Sequence, residues 1–379
     1  MKPSRPVALS ASPSTPDARS RRRALKLGAF GGMALAAPAI STAQTATSLR
    51  FQSAWPAKAI FHEFALDVCK GIEQSTGGKL KIQMLPSGAV VPPLQLVEAV
   101  SKGTLDGSHA VPAFWFGRNT AFGLYGAGPN FGLDANQLLG WIEHGGGKAL
   151  YAEILAAAKL DVVSVLYGPV PTEPFGWFKK EVKTAADLKG LKYRTSGLAV
   201  DMMKELGAAP VQLAPADIVP SLERGVIDAA EFANITDDRI LGFPDVAKNY
   251  YLQSYHMANN VFELSFNKAK FDALPAELKD AIQQAAHAAN SLMSWKSMDR
   301  MSTDLLEMQA KDGVKVMKTP QPILAAQLEA WLKVTAARSA ENPLFAKIAA
   351  SQKAWAKRVV YWSELTTVEA QPAYRKFFA

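Results

Sequence analysis

Short apolar strand patterns alternate with amphipathic helix patterns along most of the chain, and this alternation is the strongest constraint on its fold. Residues 48–54, 79–85 and 106–111 have strand patterns, while residues 58–74 and 92–102 carry apolar side chains at helical spacing. Chains that alternate in this way form sheets covered by helices. The sequence therefore predicts an α/β fold.

A second α/β unit begins near residue 168. Its strand patterns occupy six segments: 175–179, 191–194, 210–213, 226–231, 249–253 and 261–267. Between the two units, Asp134 is predicted to cap one helix that runs to about residue 159. Residues from about 275 to 379 are mostly helical, with breaks at 313–322 and near Asn342. Long terminal helices after two α/β units indicate helices that brace the units or cross between them.

The first 43 residues have the pattern of an export signal. A twin-arginine segment, Ser20–Lys26, precedes a short apolar run, and Ser41–Ala43 supplies the small residues that a signal peptidase requires. The apolar run covers residues 27–40, which is shorter than the roughly 20 residues that span a bilayer. We therefore predict export by the twin-arginine route to the periplasm, with a mature chain that starts at Gln44. An amphipathic N-terminal helix or anchor is the alternative.

The positive net charge lies mainly in this predicted signal. Residues 1–43 carry seven basic groups and one acid, so the total of +8 falls to +2 for the remaining chain. A nearly neutral body gives no reason to expect nucleic acid as a partner. The chain has one cysteine, Cys69, which excludes an intramolecular disulfide framework and any multi-cysteine metal cluster.

Sequence motifs typical of enzymes are missing from the chain. The five histidines form no HExxH or HxH pair, and neither a GxSxG elbow nor a Walker phosphate loop is present. The Gly145–Gly147 run lies inside or just after a helix pattern, which is the wrong context for a phosphate-binding loop. The sequence therefore predicts a protein that is not an enzyme.

The segment from residue 184 to 231 resembles the solute-binding proteins of TRAP transporters, which are tripartite ATP-independent periplasmic carriers. The matching residues keep the family spacing over nearly fifty positions and are Asp187–Lys192, Arg194, Leu206–Ala208, Pro210, Gly225, Ile227–Asp228 and Glu231. The similarity extends through nearly all of the predicted mature chain. It is strongest to the branch that binds 2-oxoacids and lactate.

This resemblance implies two α/β lobes that close on a small organic acid in a hinge cleft, with long bridging helices. On this basis we expect residues 44–168 and about 256–300 in the first lobe, and residues 169–255 and about 301–341 in the second. Residues 342–379 form a C-terminal helical segment. The resemblance also implies delivery of the acid to the membrane subunits of a TRAP permease, and it leaves a homodimer open.

Arg194 is the expected partner of the acid. It stands at the end of a predicted strand and matches the family's carboxylate-binding arginine. A carboxylate that is enclosed between lobes loses its water and needs a fixed positive partner. The planar guanidinium suits this role because it meets both carboxylate oxygens at once. A surface arginine near a strand end is the alternative.

By resemblance, a cation also holds the ligand in this branch. The expected metal ligands are the Glu231 carboxylate, the Phe232 backbone carbonyl and Glu173, which stands where the branch has glutamine. Two carboxylates favour Ca²⁺ over Na⁺, because extra negative charge favours divalent cations. The alternative is that Glu173 is a solvated loop acid and that no metal binds.

Other ligand contacts are expected from residues near strand ends. By resemblance, the cleft residues are Trp55 after the first strand, Trp115 after the third strand, and Asn130 with Phe131. Asn234 follows Glu231 at a spacing that lets its amide reach ligand or metal.

Two further functions remain open at this point. The same fold could serve as a periplasmic ligand sensor that signals to a membrane receptor. A hydrolase that uses Glu173 and Glu231 as an acid–base pair is the second, and it requires an open cleft for a sugar-like substrate.

Overall fold

The computed structural model describes residues 46–378, so the predicted export signal in residues 1–43 lies outside the described residues. The strands within this range are β1 (Thr47–Ser53), β2 (Leu80–Leu85), β3 (Gly107–Ala110), β4 (Val162–Val170), β5 (Gly176–Phe178), β6 (Lys192–Arg194), β7 (Ala209–Val211), β8 (Ala229–Ala230), β9 (Asn249–Tyr251), β10 (Asn260–Asn267) and β11 (Lys315–Met317). The α/β class is confirmed.

Helices precede, separate and follow these strands. They are α1 (Ile60–Ser75), α2 (Leu96–Ser101), α3 (Ala135–His144), α4 (Gly147–Ala157), α5 (Ala199–Glu205), α6 (Pro215–Glu223), α7 (Ile235–Ile240), α8 (Phe243–Val246), α9 (Lys268–Asp272), α10 (Ala276–Lys311), α11 (Gln321–Glu341), α12 (Pro343–Thr366) and α13 (Ala370–Phe378). Short 3₁₀ turns occupy much of the segment between β3 and α3.

Two sheets define two lobes. The first sheet has the strand order β2-β1-β3-β10-β4, and the second has the order β11-β9-β5-β8-β6-β7. Each sheet takes one strand from late in the chain, β10 in the first and β11 in the second, so the chain crosses between the sheets three times. Segments that cross between two sheets lie where a hinge cleft forms. The residue boundaries of the lobes stay a prediction.

The Asp134 cap is confirmed, but the long helix predicted after it is wrong. Asp134 and Gln137 form a reciprocal capping box at the start of α3. The helix ends at His144, and α4 begins at Gly147 after Gly146 adopts a φ of 88°. Glycine accepts this left-handed conformation without a Cβ penalty, which ends α3 and starts a second helix.

Gly176 allows β5 to approach β8 closely. It has a φ of 105°, and a Cβ built on it would lie 2.3 Å from the carbonyl oxygen of Ala230. The same Cβ would lie 2.9 Å from the Cα of Glu231. The absence of a side chain at this position therefore sets how the backbone presents Glu231.

We expect Gly176→Ala to lower the free energy of unfolding by about 2–4 kcal/mol, because it adds left-handed backbone strain to a backbone clash. Gly190→Ala is the matched control, since Gly190 has a φ of 72° but no atom within 4 Å of a built Cβ. Urea unfolding of both variants measures the difference. Equal losses of unfolding free energy in the two variants would show that the close approach to Ala230 does not contribute to the effect of Gly176→Ala.

Candidate functional site

A small cavity lies between the two lobes at the strand ends. Its walls come from both sheets and from the crossing segments: Trp55, Phe61, Val111, Ala113, Phe114, Glu173, Arg194, Ser196, Phe232, Met257 and Asn260. The cavity has a volume of about 20 Å³. It shares Ala113, Phe114, Arg194 and Ser196 with a larger cleft of about 550 Å³. The arginine therefore stands between the cleft and the inner cavity.

Arg194, the last residue of β6, is buried and held in place by backbone and side-chain acceptors. Its Nη1 donates to the carbonyl oxygen of Glu231 at 2.9 Å and to Glu231 Oε1 at 3.1 Å. Its Nε and Nη2 donate to the carbonyl oxygen of Leu213 at 3.3 and 3.2 Å. These bonds orient the guanidinium toward the cavity, and its charge is balanced by Glu231.

Glu173 and Glu231 form a buried acidic pair. Burial raises the pKa of Glu173 well above its usual range, and the charge of Glu231 raises it further. Burial also raises the pKa of Glu231, although the Arg194 charge opposes this shift. Glu231 Oε2 is buried and has no hydrogen-bond partner within residues 46–378. Two buried carboxylates beside one arginine cannot both stay ionised at low cost, so without a cation the protonated form of Glu173 is favoured.

His256 joins this pair and was missed by sequence reasoning. One of its ring nitrogens and one carboxylate oxygen each from Glu173 and Glu231 all lie within 4.8 Å of one another. Burial lowers the pKa of His256 to about 3, so the imidazole is neutral at physiological pH. No local spacing could have revealed this grouping, since the segments that carry the three residues meet only in the folded chain.

The three residues can hold a cation. The groups that could bind a metal are two carboxylates and one neutral imidazole. A buried carboxylate oxygen requires a positive group or a hydrogen-bond donor, and Glu231 Oε2 has neither as a hydrogen-bond partner within residues 46–378. Phe232, the other predicted ligand, lines the cavity beside Glu231. The chemistry of these residues therefore fits a bound metal ion.

The structure places Trp55 in the cavity wall but Trp115 elsewhere. The Trp55 ring packs edge-on against Phe61 and Phe262, at centroid distances of 5.2 and 5.4 Å. Trp115 instead donates from Nε1 to Glu263 Oε2 at 2.7 Å in the interior of the first lobe. A buried acid on β10 thus takes the polar atom of Trp115, and the ligand contact expected for this residue stays a prediction.

Asn130, Phe131 and Asn234 are also absent from the cavity lining, and the ligand contacts expected for them stay predictions. Asn130 donates from Nδ2 to Asn259 Oδ1, and the Phe131 ring packs near Trp331 with centroids 6.3 Å apart. Asn234 caps α7, because its Oδ1 accepts from the backbone N–H of Asp237 at 2.9 Å. Each of these side chains is used to hold a turn or a helix start.

Two acids after Glu231 fix the segment that carries it. Asp238 Oδ2 accepts from Trp177 Nε1 at 2.8 Å and from the Tyr250 hydroxyl at 3.1 Å. Asp237 Oδ1 accepts from the backbone N–H of Ile60 at 2.7 Å, so a second-lobe residue caps the first turn of α1. Burial raises the pKa of Asp237 to about 6 and that of Asp238 to about 7.

The raised pKa of Asp238 predicts a pH-dependent effect of Asp238→Asn. The pKa of Asp238 is about 7 in the folded chain and about 4 in the unfolded chain, so the folded state favours the protonated acid. The stability that protonated Asp238 contributes is therefore lost as pH rises from about 4 to 7. We expect the stability of Asp238→Asn relative to wild type to improve over that range. Thermal unfolding between pH 4 and 8 tests this, with exposed Asp217→Asn as the control. A difference in stability between Asp238→Asn and wild type that stays constant with pH would contradict this prediction.

A two-lobed α/β fold with a charged cavity between its lobes defines a class of protein that encloses small solutes. Within residues 46–378, no helix combines the length and apolar character that a membrane crossing requires. The family model for bacterial extracellular solute-binding proteins, family 7, matches residues 51–342. The chain belongs to this family and is a TRAP solute-binding protein, as its resemblance implied.

Relatives with described ligands include one known from sequence and two from solved structures. The monocarboxylate 2-oxoacid-binding periplasmic protein of Nostoc sp. is 29% identical over 316 residues, which cover 83% of this chain and 86% of the relative. A Bordetella bronchiseptica TRAP solute-binding protein is 31% identical with a TM-score of 0.81, covering 88% of this chain and 97% of that one. It is a mixed-occupancy dimer with calcium and picolinate in one site.

The other solved structure is a Pseudoalteromonas atlantica TRAP periplasmic protein with bound sodium and pyruvate. It is 27% identical with a TM-score of 0.79, and the match covers 88% of this chain and all of that one. Calcium and sodium are therefore both bound, with small acids, by similar proteins.

Proposed function

We propose that this TRAP solute-binding protein captures a small 2-oxo or 2-hydroxy monocarboxylate in the periplasm, together with a cation, and delivers it to membrane permease subunits. The observation that carries this proposal is that Arg194 and Glu173 line the inner cavity of about 20 Å³ while Glu231 pairs with Arg194 at 3.1 Å. A small inner cavity favours an acid of few atoms over a sugar acid, whose ring would have to extend into the larger cleft.

The Arg194–Glu231 ion pair explains why a cation and an acid would bind together. Without a cation, the guanidinium charge is balanced by Glu231, and an incoming carboxylate competes with that acid. A cation held by Glu173, Glu231 and the Phe232 carbonyl would balance the acids and leave the guanidinium free for the ligand. The bound metal would supply positive charge that bridges the protein and the acid.

Binding without chemical change is favoured over hydrolysis by the same geometry. A glycosidase places a sugar between two carboxyl groups that are about 5 Å or more apart. Here oxygens of Glu173 and Glu231 lie within 4.8 Å of each other and of a histidine nitrogen, beside a cavity of about 20 Å³. Because the two carboxyl groups lie too close together for a sugar to sit between them, we propose that the protein is not an enzyme.

A thermal-shift screen of organic acids with and without Ca²⁺ tests the proposed function. A ligand that binds only the folded state raises the unfolding temperature. Pyruvate, lactate and longer 2-oxo acids should raise it most when Ca²⁺ is present, and hexuronates should not. Stabilisation by hexuronates alone would contradict the proposed ligand class.

A homodimer stays a prediction. Exposed apolar side chains on α12 and α13 support it, namely Tyr361, Trp362, Leu365, Phe377 and Phe378. Light scattering of the mature protein would measure its mass in solution.

A further inference from the structure

His256 is fully buried on the segment that crosses from β9 to β10, and it adds a nitrogen to an otherwise oxygen-based site. A ring nitrogen lies within 4.8 Å of oxygens from Glu173 and Glu231. The Nδ1 atom is engaged by Ser254 Oγ at 2.6 Å, so Nε2 is the nitrogen available to the acids. Within residues 46–378, Nε2 has no hydrogen-bond partner.

The hydrogen bonds behind His256 fix which nitrogen carries the proton. The backbone N–H of Tyr255 donates to Gln327 Oε1 at 2.8 Å, which identifies that atom as the amide oxygen. The Ser254 hydroxyl donates to the same oxygen at 3.1 Å. With the hydroxyl proton used there, we assign Ser254 Oγ as the acceptor from His256 and the tautomer with hydrogen on Nδ1.

The Nε2 atom therefore presents a lone pair to two carboxylates. Within residues 46–378, Nε2 and Glu231 Oε2 have no hydrogen-bond partner, whereas Glu173 Oε1 accepts from Asn260 Nδ2 at 3.4 Å. Buried acceptors of this kind need a positive or donor group to offset the loss of water. A histidine that binds a metal commonly donates its other nitrogen to a fixed oxygen, as His256 does to Ser254.

We propose that His256 Nε2 joins Glu173, Glu231 and the Phe232 carbonyl as a protein ligand of the cation, and that the site prefers a first-row divalent metal ion, such as Mn²⁺ or Zn²⁺, to Ca²⁺ or Na⁺. Imidazole nitrogen suits the first-row ions, whereas Ca²⁺ takes oxygen ligands. Glu173 and Glu231 supply the negative charge for a divalent ion. The inference rests on the proposed function, because the same cation would bridge the acid.

The test is calorimetric titration of ZnCl₂, MnCl₂ and CaCl₂ into chelator-stripped protein without any acid. We expect His256→Ala to weaken Zn²⁺ and Mn²⁺ binding by about tenfold or more, while Ca²⁺ affinity changes little. His287→Ala is the matched control, since the His287 side chain is 41% exposed. Ser254→Ala removes the acceptor for Nδ1–H and should also weaken Zn²⁺ binding, which provides a second variant if His256→Ala does not fold.

Equal Zn²⁺ affinity in wild type, His256→Ala and Ser254→Ala would overturn the inference. In that case, pyruvate binding by the Ca²⁺-loaded wild type would leave the proposed function standing. Loss of Zn²⁺ affinity in the variants, combined with no acid binding by wild type under any metal, would support the ligand role of His256 and contradict the proposed function instead.

Discussion

Replacing Arg194 with alanine should lower the affinity for small monocarboxylates by roughly a hundredfold or more. The guanidinium is 5% exposed in the wall of the inner cavity, where a carboxylate would otherwise lose its water without compensation. Leaving a buried carboxylate unpaired costs on the order of 3–5 kcal/mol, which corresponds to that loss of affinity. Calorimetric titration of pyruvate into both proteins measures the change.

Arg194→Lys separates charge from geometry in the same experiment. Lysine keeps the positive charge but cannot meet two oxygens with a planar fork, so we expect an affinity between those of wild type and Arg194→Ala. Thermal unfolding of each variant checks that the fold survives. Full affinity in a folded Arg194→Ala would remove this residue from the binding site.

Glu231→Gln should weaken both cation and acid binding, each by about tenfold or more. The amide keeps an oxygen that can accept from Arg194 Nη1 but removes the negative charge that a cation needs. Because the proposed cation bridges the protein and the acid, the two losses should appear together. Glu223→Gln, an exposed change on α6, controls for the loss of one charge.

Separate titrations of CaCl₂ and pyruvate distinguish the outcomes for Glu231→Gln. A parallel loss of both affinities is the expected result. Weaker acid binding with unchanged cation binding would show that Glu231 acts on the ligand alone, and the bridging arrangement would then be wrong.

Local patterns were sufficient to predict most of the elements that build the two lobes. The apolar alternation at the start of the chain gives β1 at Thr47–Ser53, and the Asp134 cap marks the start of α3. The short strand β11 at Lys315–Met317 was missed, since it lies in a segment predicted only as a break between helices. It is defined by its parallel pairing with β9, a contact between residues far apart in the chain.

In the candidate site, too, residues that follow a sequence spacing were predictable, and roles that depend on distant contacts were not. Arg194, Glu231 and Glu173 were found through a spacing that resembles a known family. In the structure Arg194 and Glu173 line the inner cavity, and Glu231 pairs with Arg194. The bond from Trp115 to Glu263 could not be predicted, because a position after a strand does not reveal a buried partner on β10. His256 could not be found, since its role depends on Ser254 and on Gln327 from a distant helix.

The most direct test of the central claim is the affinity for pyruvate with and without a bound cation. Wild-type protein is stripped with a chelator in low-sodium buffer and titrated with pyruvate by calorimetry, before and after Ca²⁺ is restored. Because Glu231 pairs with Arg194 when no cation balances it, we predict that Ca²⁺ raises the pyruvate affinity by about tenfold or more. Full pyruvate affinity in the stripped protein would contradict the claim that a cation and an acid are bound together.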